Sequence, residues 1–242
     1  MKTIMIFAGL ALTGMMSVYG QQNVFAFFEY DIRTDKEDAF INGYTRDLEW
    51  QRAQGDDWSW IGWFVQNGSR RGRFVDATPD HTWADFDDWK VDGAENSQYN
   101  RIHWLPYVKN PSGSYKEILA MYSNYKADWY KSKYLQVYYL HTNGTDDGKN
   151  IMAYLAQVKP QLSKRLGGLS FIWMKTVSGG NPATYLLFIA LNRTEDLKLC
   201  DGIFRISESG NPERKYEGLI KNIESELWVY SAELSLFPHA GE

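Results

Sequence analysis

Two stretches of the sequence, one in each half of the chain, have the same order of features. The first is residues 58–78, WSWIGWFVQNGSRRGRFVDAT, and the second is residues 170–191, SFIWMKTVSGGNPATYLLFIAL. Each stretch joins two runs rich in aromatic and β-branched residues through a turn, Asn67-Gly68 in the first and Gly179-Gly180 in the second. Such a pattern predicts a β-hairpin. The second hairpin follows the first at an offset of 111 residues.

The residues that flank the two hairpins extend this repeat. A strand-like run and an amphipathic helical pattern precede each hairpin, over residues 24–32 and 35–53 in the first half and 135–142 and 150–165 in the second. A later helix and strand are predicted over residues 99–108 and 118–125 in the first half and 216–227 and 228–237 in the second. Each half therefore follows the order strand, helix, strand, strand, helix, strand, which indicates an internal duplication.

This element order predicts an α+β fold in which helices cover one face of an antiparallel sheet. Residues 58–65 and 184–191 are apolar at nearly every position, so both faces of these strands should be buried. We therefore predict two antiparallel sheets stacked face to face, with the helices outside. In this topology the chain resembles the dimeric α+β barrel superfamily, with two ferredoxin-like βαββαβ units in tandem. The predicted units are residues 21–130 and 131–242.

The first twenty residues predict export. The segment MKTIMIFAGLALTGMMSVYG has a positive charge at Lys2, a short apolar core and small residues near its end. These features are typical of a signal peptide over residues 1–20, cleaved near Gly20. Its apolar core is shorter than the roughly 20 residues that span a bilayer, so no membrane segment is expected after cleavage. We predict a periplasmic or secreted protein.

Composition restricts the possible functions further. The 242 residues carry a formal net charge of −4, which argues against nucleic acid as a partner. A single cysteine excludes an internal disulfide and a multi-cysteine metal site. The sequence contains no GxxxxGK[ST], HExxH, GxGxxG or GxSxG motif. We predict no metal and no tightly bound cofactor.

Comparison of the two halves identifies candidate catalytic residues. At the 111-residue offset, Glu29 aligns with Leu140 and Asp76 aligns with Leu187, so the first half has acids in strands where the second has leucine. Because an unpaired buried charge is costly, these acids suggest a polar pocket. Arg73 could bind an anion there, and His81 could act as a general base. The alternatives are a structural ion pair of Arg73 with Glu29 or Asp76, and strand ends that are open to water.

Aromatic residues suggest where a ligand would bind. Eight of the ten tryptophans lie in the first half of the chain, and rings that line a cleft stack on flat ligands. The candidate ligand-binding residues are Trp60, Trp63, Trp83, His103 and Trp104. The family resemblance also implies haem as a possible cofactor, with His103 or His141 as the axial ligand. Packing in the core is the alternative role for each of these side chains.

Three functions remain compatible with the sequence. The first is an exported protein that binds a small apolar or aromatic ligand in its first unit. The second is an enzyme, an oxygenase, lyase or isomerase, that acts on a small hydrophobic substrate. The third is a structural or interaction module without a pocket. The residues do not determine whether the protein is an enzyme.

Overall fold

Eight antiparallel strands form one closed barrel. The computed structural model describes residues 23–144, 148–204 and 218–238, so the predicted signal peptide lies outside the described residues. The strands follow the order β1-β3-β2-β8-β5-β7-β6-β4 around the barrel. Their bounds are β1 Val24–Ile32, β2 Trp60–Val65, β3 Arg73–His81, β4 Val108–Ile118, β5 Tyr134–Thr142, β6 Phe171–Ser178, β7 Thr184–Leu191 and β8 Ile220–Leu236. The helices are α1 Glu37–Ala53, α2 Gly93–His103 and α3 Gly148–Leu166.

The barrel corrects the predicted stacking of two sheets. The strands of the first half are ordered β4-β1-β3-β2 and those of the second half β8-β5-β7-β6. Strand β2 pairs with β8, and β4 pairs with β6. The two sets of strands therefore meet edge to edge rather than face to face. Closure satisfies backbone groups that would remain unpaired at the edges of two separate sheets.

The strands are apolar on both faces because each face has a different neighbour. Side chains that point into the barrel lumen form one core, which includes the rings of Phe27, Trp63, Phe188 and Trp228. On the outside, α1 packs on the first half through a cluster that contains Phe40 and Phe74. Helix α3 packs on the second half through a mainly aliphatic cluster that also contains Phe171 and Trp173. The helices are outside, as predicted. No helix in the described part of the chain is long and apolar enough to cross a membrane.

Three late elements differ from the sequence prediction. Helix α2 covers Gly93–His103 rather than residues 99–108, and β4 covers Val108–Ile118 rather than residues 118–125. The predicted helix at 216–227 is wrong where it is described, because β8 extends over Ile220–Leu236. In β8 the pairing with both β2 and β5 overrides the weak helical spacing of its apolar residues.

Strand register corrects one of the two alignments between the halves. Glu29 pairs with Val75 of β3. The residue of the second half that corresponds to Val75 is Leu186, and Leu186 pairs with Tyr139. The counterpart of Glu29 is therefore Tyr139, at an offset of 110 residues, and not Leu140. The second half has one extra residue between its first two strands. The alignment of Asp76 with Leu187 remains correct, since Phe28 and Tyr138 are their respective partners.

Candidate functional site

A groove of about 410 Å³ runs between helix α2 and strands β1 and β4. Its floor is aromatic and is formed by Phe28, Tyr30 and Trp104. Tyr30 meets Trp104 edge-on, with their ring centroids 4.9 Å apart. We call this feature the α2 groove. Its volume falls within the range of about 300–1,000 Å³ that is typical of small-molecule sites.

Polar side chains of α2 form one wall of the α2 groove. Asn96, Ser97 and Asn100 line it. Asn100 Oδ1 accepts a hydrogen bond of 3.0 Å from the indole N–H of Trp104, which fixes the orientation of that ring. Asn96 Oδ1 is buried and accepts no hydrogen bond from the residues that the structure describes. A buried acceptor without a donor is destabilising, so a ligand hydroxyl or N–H group would improve this site.

Helix α2 is largely exposed. Its first turn is capped by Asp92, whose side chain accepts hydrogen bonds of 2.9 Å from the N–H groups of Ala94 and Glu95. None of its eleven residues is buried. Tyr99 stacks on Trp50 of α1, with ring centroids 4.7 Å apart. The C-terminal end of α2 packs closely on α1, where a Cβ added at Gly43 would lie 2.1 Å from the carbonyl oxygen of His103.

Two buried carboxyl groups lie near the groove, between α1 and the sheet. Asp76 accepts a hydrogen bond from the hydroxyl of Tyr44, and Asp47 Oδ2 accepts one of 2.9 Å from Gln51 Nε2. The second oxygen of each carboxyl has no partner among the described residues. Burial raises the pKa of Asp76 to about 8 and that of Asp47 to about 7. Both groups therefore exchange protons near neutral pH.

Tyr30 lines the groove, and its pKa is affected by the two carboxyl groups. Burial, together with the negative charges of Asp76 and Asp47, raises the pKa of Tyr30 well above its ordinary value. Its phenol therefore stays protonated. It can act as a hydrogen-bond donor toward a ligand in the α2 groove.

The four predicted catalytic residues do not converge. Glu29 lies in the barrel lumen, and Asp76 lies on the opposite face of the neighbouring strand, under α1. His81 is at the end of β3, where its Nε2 is 2.6 Å from the hydroxyl of Thr78. Arg73 donates to Glu29 at 3.1 Å, as the alternative of a structural pair predicted. The predicted shared pocket is wrong because Glu29 pairs with Val75, and Asp76 is the next residue on β3. Neighbouring residues of a strand point to opposite faces of the sheet.

A network of charged side chains occupies one end of the lumen around Glu29. Arg70 donates two hydrogen bonds of 2.7 Å to Glu226 and also bonds to Glu29. The hydroxyl of Tyr139 accepts from Arg70, and the indole of Trp228 donates to Glu226 at 2.9 Å. We call these residues, with Arg73, the lumen network. Their mutual pairing accounts for the burial of Glu226.

The predicted ligand-binding residues are divided between several places. Trp104 lines the α2 groove. His103 ends α2 and stacks on Tyr99, with ring centroids 4.0 Å apart, instead of facing the groove. Trp63 is buried in the lumen core and donates its indole N–H to the carbonyl of Tyr130 at 3.1 Å. It has a packing role.

Trp60 and Trp83 belong to an aromatic cluster at the end of β3. The indole of Trp60 donates to Asp56 at 2.7 Å, and that of Trp83 donates to Glu117 at 2.8 Å. Trp58 joins this cluster and contacts the ring of His81, with centroids 4.1 Å apart. Burial lowers the pKa of His81. This cluster packs on itself, and none of the described pockets is lined by its tryptophans.

Neither histidine proposed for haem fits that role. His141 Nδ1 is 3.0 Å from the hydroxyl of Thr184, and its Nε2 is 3.5 Å from Glu224, so both ring nitrogens are engaged. The pocket next to His141 is lined mainly by polar residues, among them Asn143 and Lys221. A porphyrin needs apolar walls. His103 lies on the outer helix α2 against Tyr99. We derive no chemistry through haem.

Sequence reasoning missed the polar wall and the second carboxyl. Asn96 and Asn100 are spaced one helical turn apart, which places their amides on one side of α2. Asp47 aligns with Val158 at the 111-residue offset, so the comparison that identified Asp76 could also have identified Asp47. Tyr30 has no such signal, because an aromatic residue in a strand is ordinary.

The second half has a groove at the corresponding strands, with a different lining. This groove of about 430 Å³ lies over β5 and β8 and includes Gln136, Tyr138, Cys200 and Phe204. It lacks the amide wall of the α2 groove. Burial raises the pKa of the Cys200 thiol to about 11, which favours the protonated thiol over the nucleophilic thiolate at neutral pH.

Comparisons with known proteins find similarity at the level of structure only. No protein family and no curated protein matches the chain. A "putative monooxygenase" from Lactobacillus acidophilus has a TM-score of 0.56 at 10% identity, covering 90% of this chain and 97% of its own. An anthrone oxidase-like protein has a TM-score of 0.53 at 7% identity, covering 88% of this chain and 92% of its own.

A chlorite dismutase mutant from Candidatus Nitrospira defluvii is also similar. It has a TM-score of 0.52 at 9% identity, covering 87% of this chain and 92% of its own. Monooxygenase-like and chlorite dismutase-like proteins belong to the dimeric α+β barrel superfamily. At these identities the likeness concerns the fold, and it agrees with the closed eight-stranded barrel described above.

Proposed function

We propose that the protein binds a small aromatic ligand in the α2 groove of its first half. One observation carries this proposal: Asn96, whose Oδ1 is a buried acceptor without a donor among the described residues, lines a groove whose floor is aromatic. The rings of Phe28 and Trp104 favour a flat ligand. The free acceptor favours one with a hydroxyl or N–H substituent, since its hydrogen bond would satisfy the amide.

Naphthol tests the proposal, with naphthalene as the matched probe that lacks the hydroxyl group. Quenching of tryptophan fluorescence reports binding. We expect Asn96→Leu to weaken naphthol binding by about 10-fold, which corresponds to one hydrogen bond, and to leave naphthalene binding unchanged. Gln98→Leu, an exposed change on the same helix, is the control. If naphthol and naphthalene bind equally well, Asn96 makes no hydrogen bond to the ligand. If neither binds, the ligand-binding function is wrong and the third hypothesis, a module without a pocket, is favoured.

A second candidate function is catalysis on a small hydrophobic substrate. The specific observation in its favour is the pair of carboxyls with pKa values near neutrality beside Tyr30, because such groups can exchange protons with a bound substrate. Fold-level neighbours named as a monooxygenase and an anthrone oxidase-like protein are consistent with it. Oxygen uptake with an anthrone as probe, compared between the wild type and Asp76→Asn, tests this function. Equal uptake in both proteins would contradict the role of Asp76, and uptake no faster than without protein would contradict the catalytic function.

We also propose that the two halves are tandem ferredoxin-like units, residues 21–130 and 131–242, that arose by duplication. The strand orders β4-β1-β3-β2 and β8-β5-β7-β6 support this division. Export with cleavage near Gly20 remains a proposal from the sequence. Sequencing the N-terminus of protein recovered from the host's periplasm and medium tests it, and a retained Met1 would contradict it.

A further inference from the structure

A serine and a buried lysine lie side by side on the lumen face of β4. Ser114 pairs across β1 with Phe27, and Lys116 pairs with Phe25, so both side chains point to the lumen core that these rings belong to. Lys116 Nζ donates a hydrogen bond to Ser114 Oγ and lies 4.4 Å from the centroid of the Phe27 ring. Lys116 is buried, whereas Ser114 is partly exposed.

The lysine lacks a carboxylate partner within the described residues. Two charged groups act on it, Glu29 from β1 and Arg70 from the turn between β2 and β3. Glu226 on β8 is already bonded to Arg70. On β6 the residue paired with Lys116 is the uncharged Thr176. Burial lowers the pKa of Lys116 to about 8, Arg70 acts in the same direction, and Glu29 opposes them. A substantial fraction of the amine is therefore neutral slightly above neutral pH.

We propose that Ser114 and Lys116 form a serine–lysine dyad that transfers acyl groups from small esters to water. A nucleophile within hydrogen-bond distance of a neutral amine is the arrangement that such chemistry requires. The proposal is independent of the α2 groove, because these two side chains point into the lumen and the groove lies outside the barrel.

The reaction balances with water as the only co-reactant. Ser114 Oγ attacks the ester carbonyl carbon while its proton moves to Lys116 Nζ. The C–O bond to the alcohol breaks, and the alcohol leaves with the proton from the lysine. Water then attacks the acyl-serine and gives one proton to Lys116. The acid leaves as Ser114 Oγ recovers that proton, so one ester and one water become one acid and one alcohol.

The turn between β6 and β7 places backbone beside the nucleophile. Gly179 has a φ of +76°, and a Cβ added there would lie 2.7 Å from Ser114 Cα. Only glycine permits this approach. This close approach puts the backbone of the turn next to Ser114, where its N–H groups are the candidate donors to the oxyanion that forms on the ester.

A fluorophosphonate probe tests the dyad in the full-length wild-type chain. It reacts with activated serines, and peptide mass spectrometry identifies the labelled residue. We expect a label on Ser114 that is lost in Ser114→Ala and retained in Ser69→Ala, an exposed serine of the β2–β3 turn. The labelling rate should rise with pH to a plateau, with a midpoint near 8. Hydrolysis of p-nitrophenyl acetate should show the same pH dependence.

Substitution of the lysine tests the role of the amine as a base. Lys116→Met should reduce the labelling rate about 100-fold and remove its pH dependence, because a general base contributes at least that factor. If Lys116→Met does not fold, Lys116→Arg keeps the length and charge but removes the titratable amine. An unlabelled Ser114 in folded wild-type protein would overturn the proposal. Labelling of a folded lysine variant at the wild-type rate would also overturn it.

Discussion

The layers between helix and sheet in the two halves differ in polarity. Under α1, Tyr44 and Asp47 share the interface with Asp76 of β3. At the corresponding place under α3, Leu155 and Val158 pack on Leu187 of β7. Both layers support the same strand order around the barrel. The fold therefore does not require the acids of the first half, and their cost indicates a role in the half that contains the α2 groove.

The largest expected effect on stability comes from placing an acid in the layer between α3 and the strands of the second half. Leu187 is fully buried among apolar side chains, and Leu187→Asp would place a carboxyl there without the hydrogen bond that Tyr44 donates to Asp76. We expect the free energy of unfolding to fall by about 3–5 kcal/mol, measured by urea denaturation. Leu187→Ala separates the loss of volume from the burial of the carboxyl. If Leu187→Asp lowers the free energy of unfolding by less than about 1 kcal/mol, the view that only the layer under α1 tolerates an acid is wrong.

The pH dependence of stability is the next largest effect. The pKa values of Asp76 and Asp47 are raised in the folded state, so the folded protein binds more protons than the unfolded chain between about pH 4 and pH 8. Stability must therefore fall as the pH rises through this range. Between pH 6.5 and 8 we expect a loss of about 2 kcal/mol in the free energy of unfolding.

That pH window separates these acids from other titrating groups. The pKa of His81 is lowered, so its effect lies mainly below the window, and the effect of Lys116 begins at about pH 8. In the double variant Asp76→Leu, Asp47→Asn, the free energy of unfolding should depend much less on pH in this window. An unchanged slope in this double variant would show that other groups cause it.

Replacing the acid of the first layer should be tolerated. Asp76→Leu should leave the protein folded, because Leu187 has the equivalent position in the second half. We expect a loss of about 1 kcal/mol, since the hydroxyl of Tyr44 loses its acceptor. Adding Tyr44→Phe should recover most of that loss. A fall of more than about 3 kcal/mol in the single variant, measured by thermal unfolding, would show that Asp76 is structural.

The smallest expected effect on stability is the loss of the Tyr30 hydroxyl, which we compare with the loss of the Tyr44 hydroxyl. Tyr30 corresponds to Leu140 in the second half, and its hydroxyl has no hydrogen bond within the described residues. Tyr30→Phe should therefore change the free energy of unfolding by less than about 0.5 kcal/mol. Tyr44→Phe, which removes the bond to Asp76, is the matched comparison and should cost more. Equal losses in urea denaturation would contradict this assignment of the two hydroxyls.

The candidate site was only partly predictable from the sequence. Trp104 was identified from the excess of tryptophans in the first half, and it lines the α2 groove. Asp76 was identified by comparison with Leu187, which the strand register supports. Glu29 was compared with the wrong residue, because one extra residue in the second half shifts the register by one position. A shift of one position in a strand moves a side chain to the other face.

The sequence by itself determined the hairpins, their aromatic content and the order strand, helix, strand, strand that opens each half, because these depend on turn residues and on local spacing. Only the tertiary structure decided that the two sets of strands join at their edges and that Glu29 belongs to the lumen. It also decided that Asn96 and Tyr30 share one groove and that Ser114 contacts Lys116 inside the barrel. The physical reason is that strand pairing across the chain and the face to which each side chain points depend on long-range register, which local patterns do not encode.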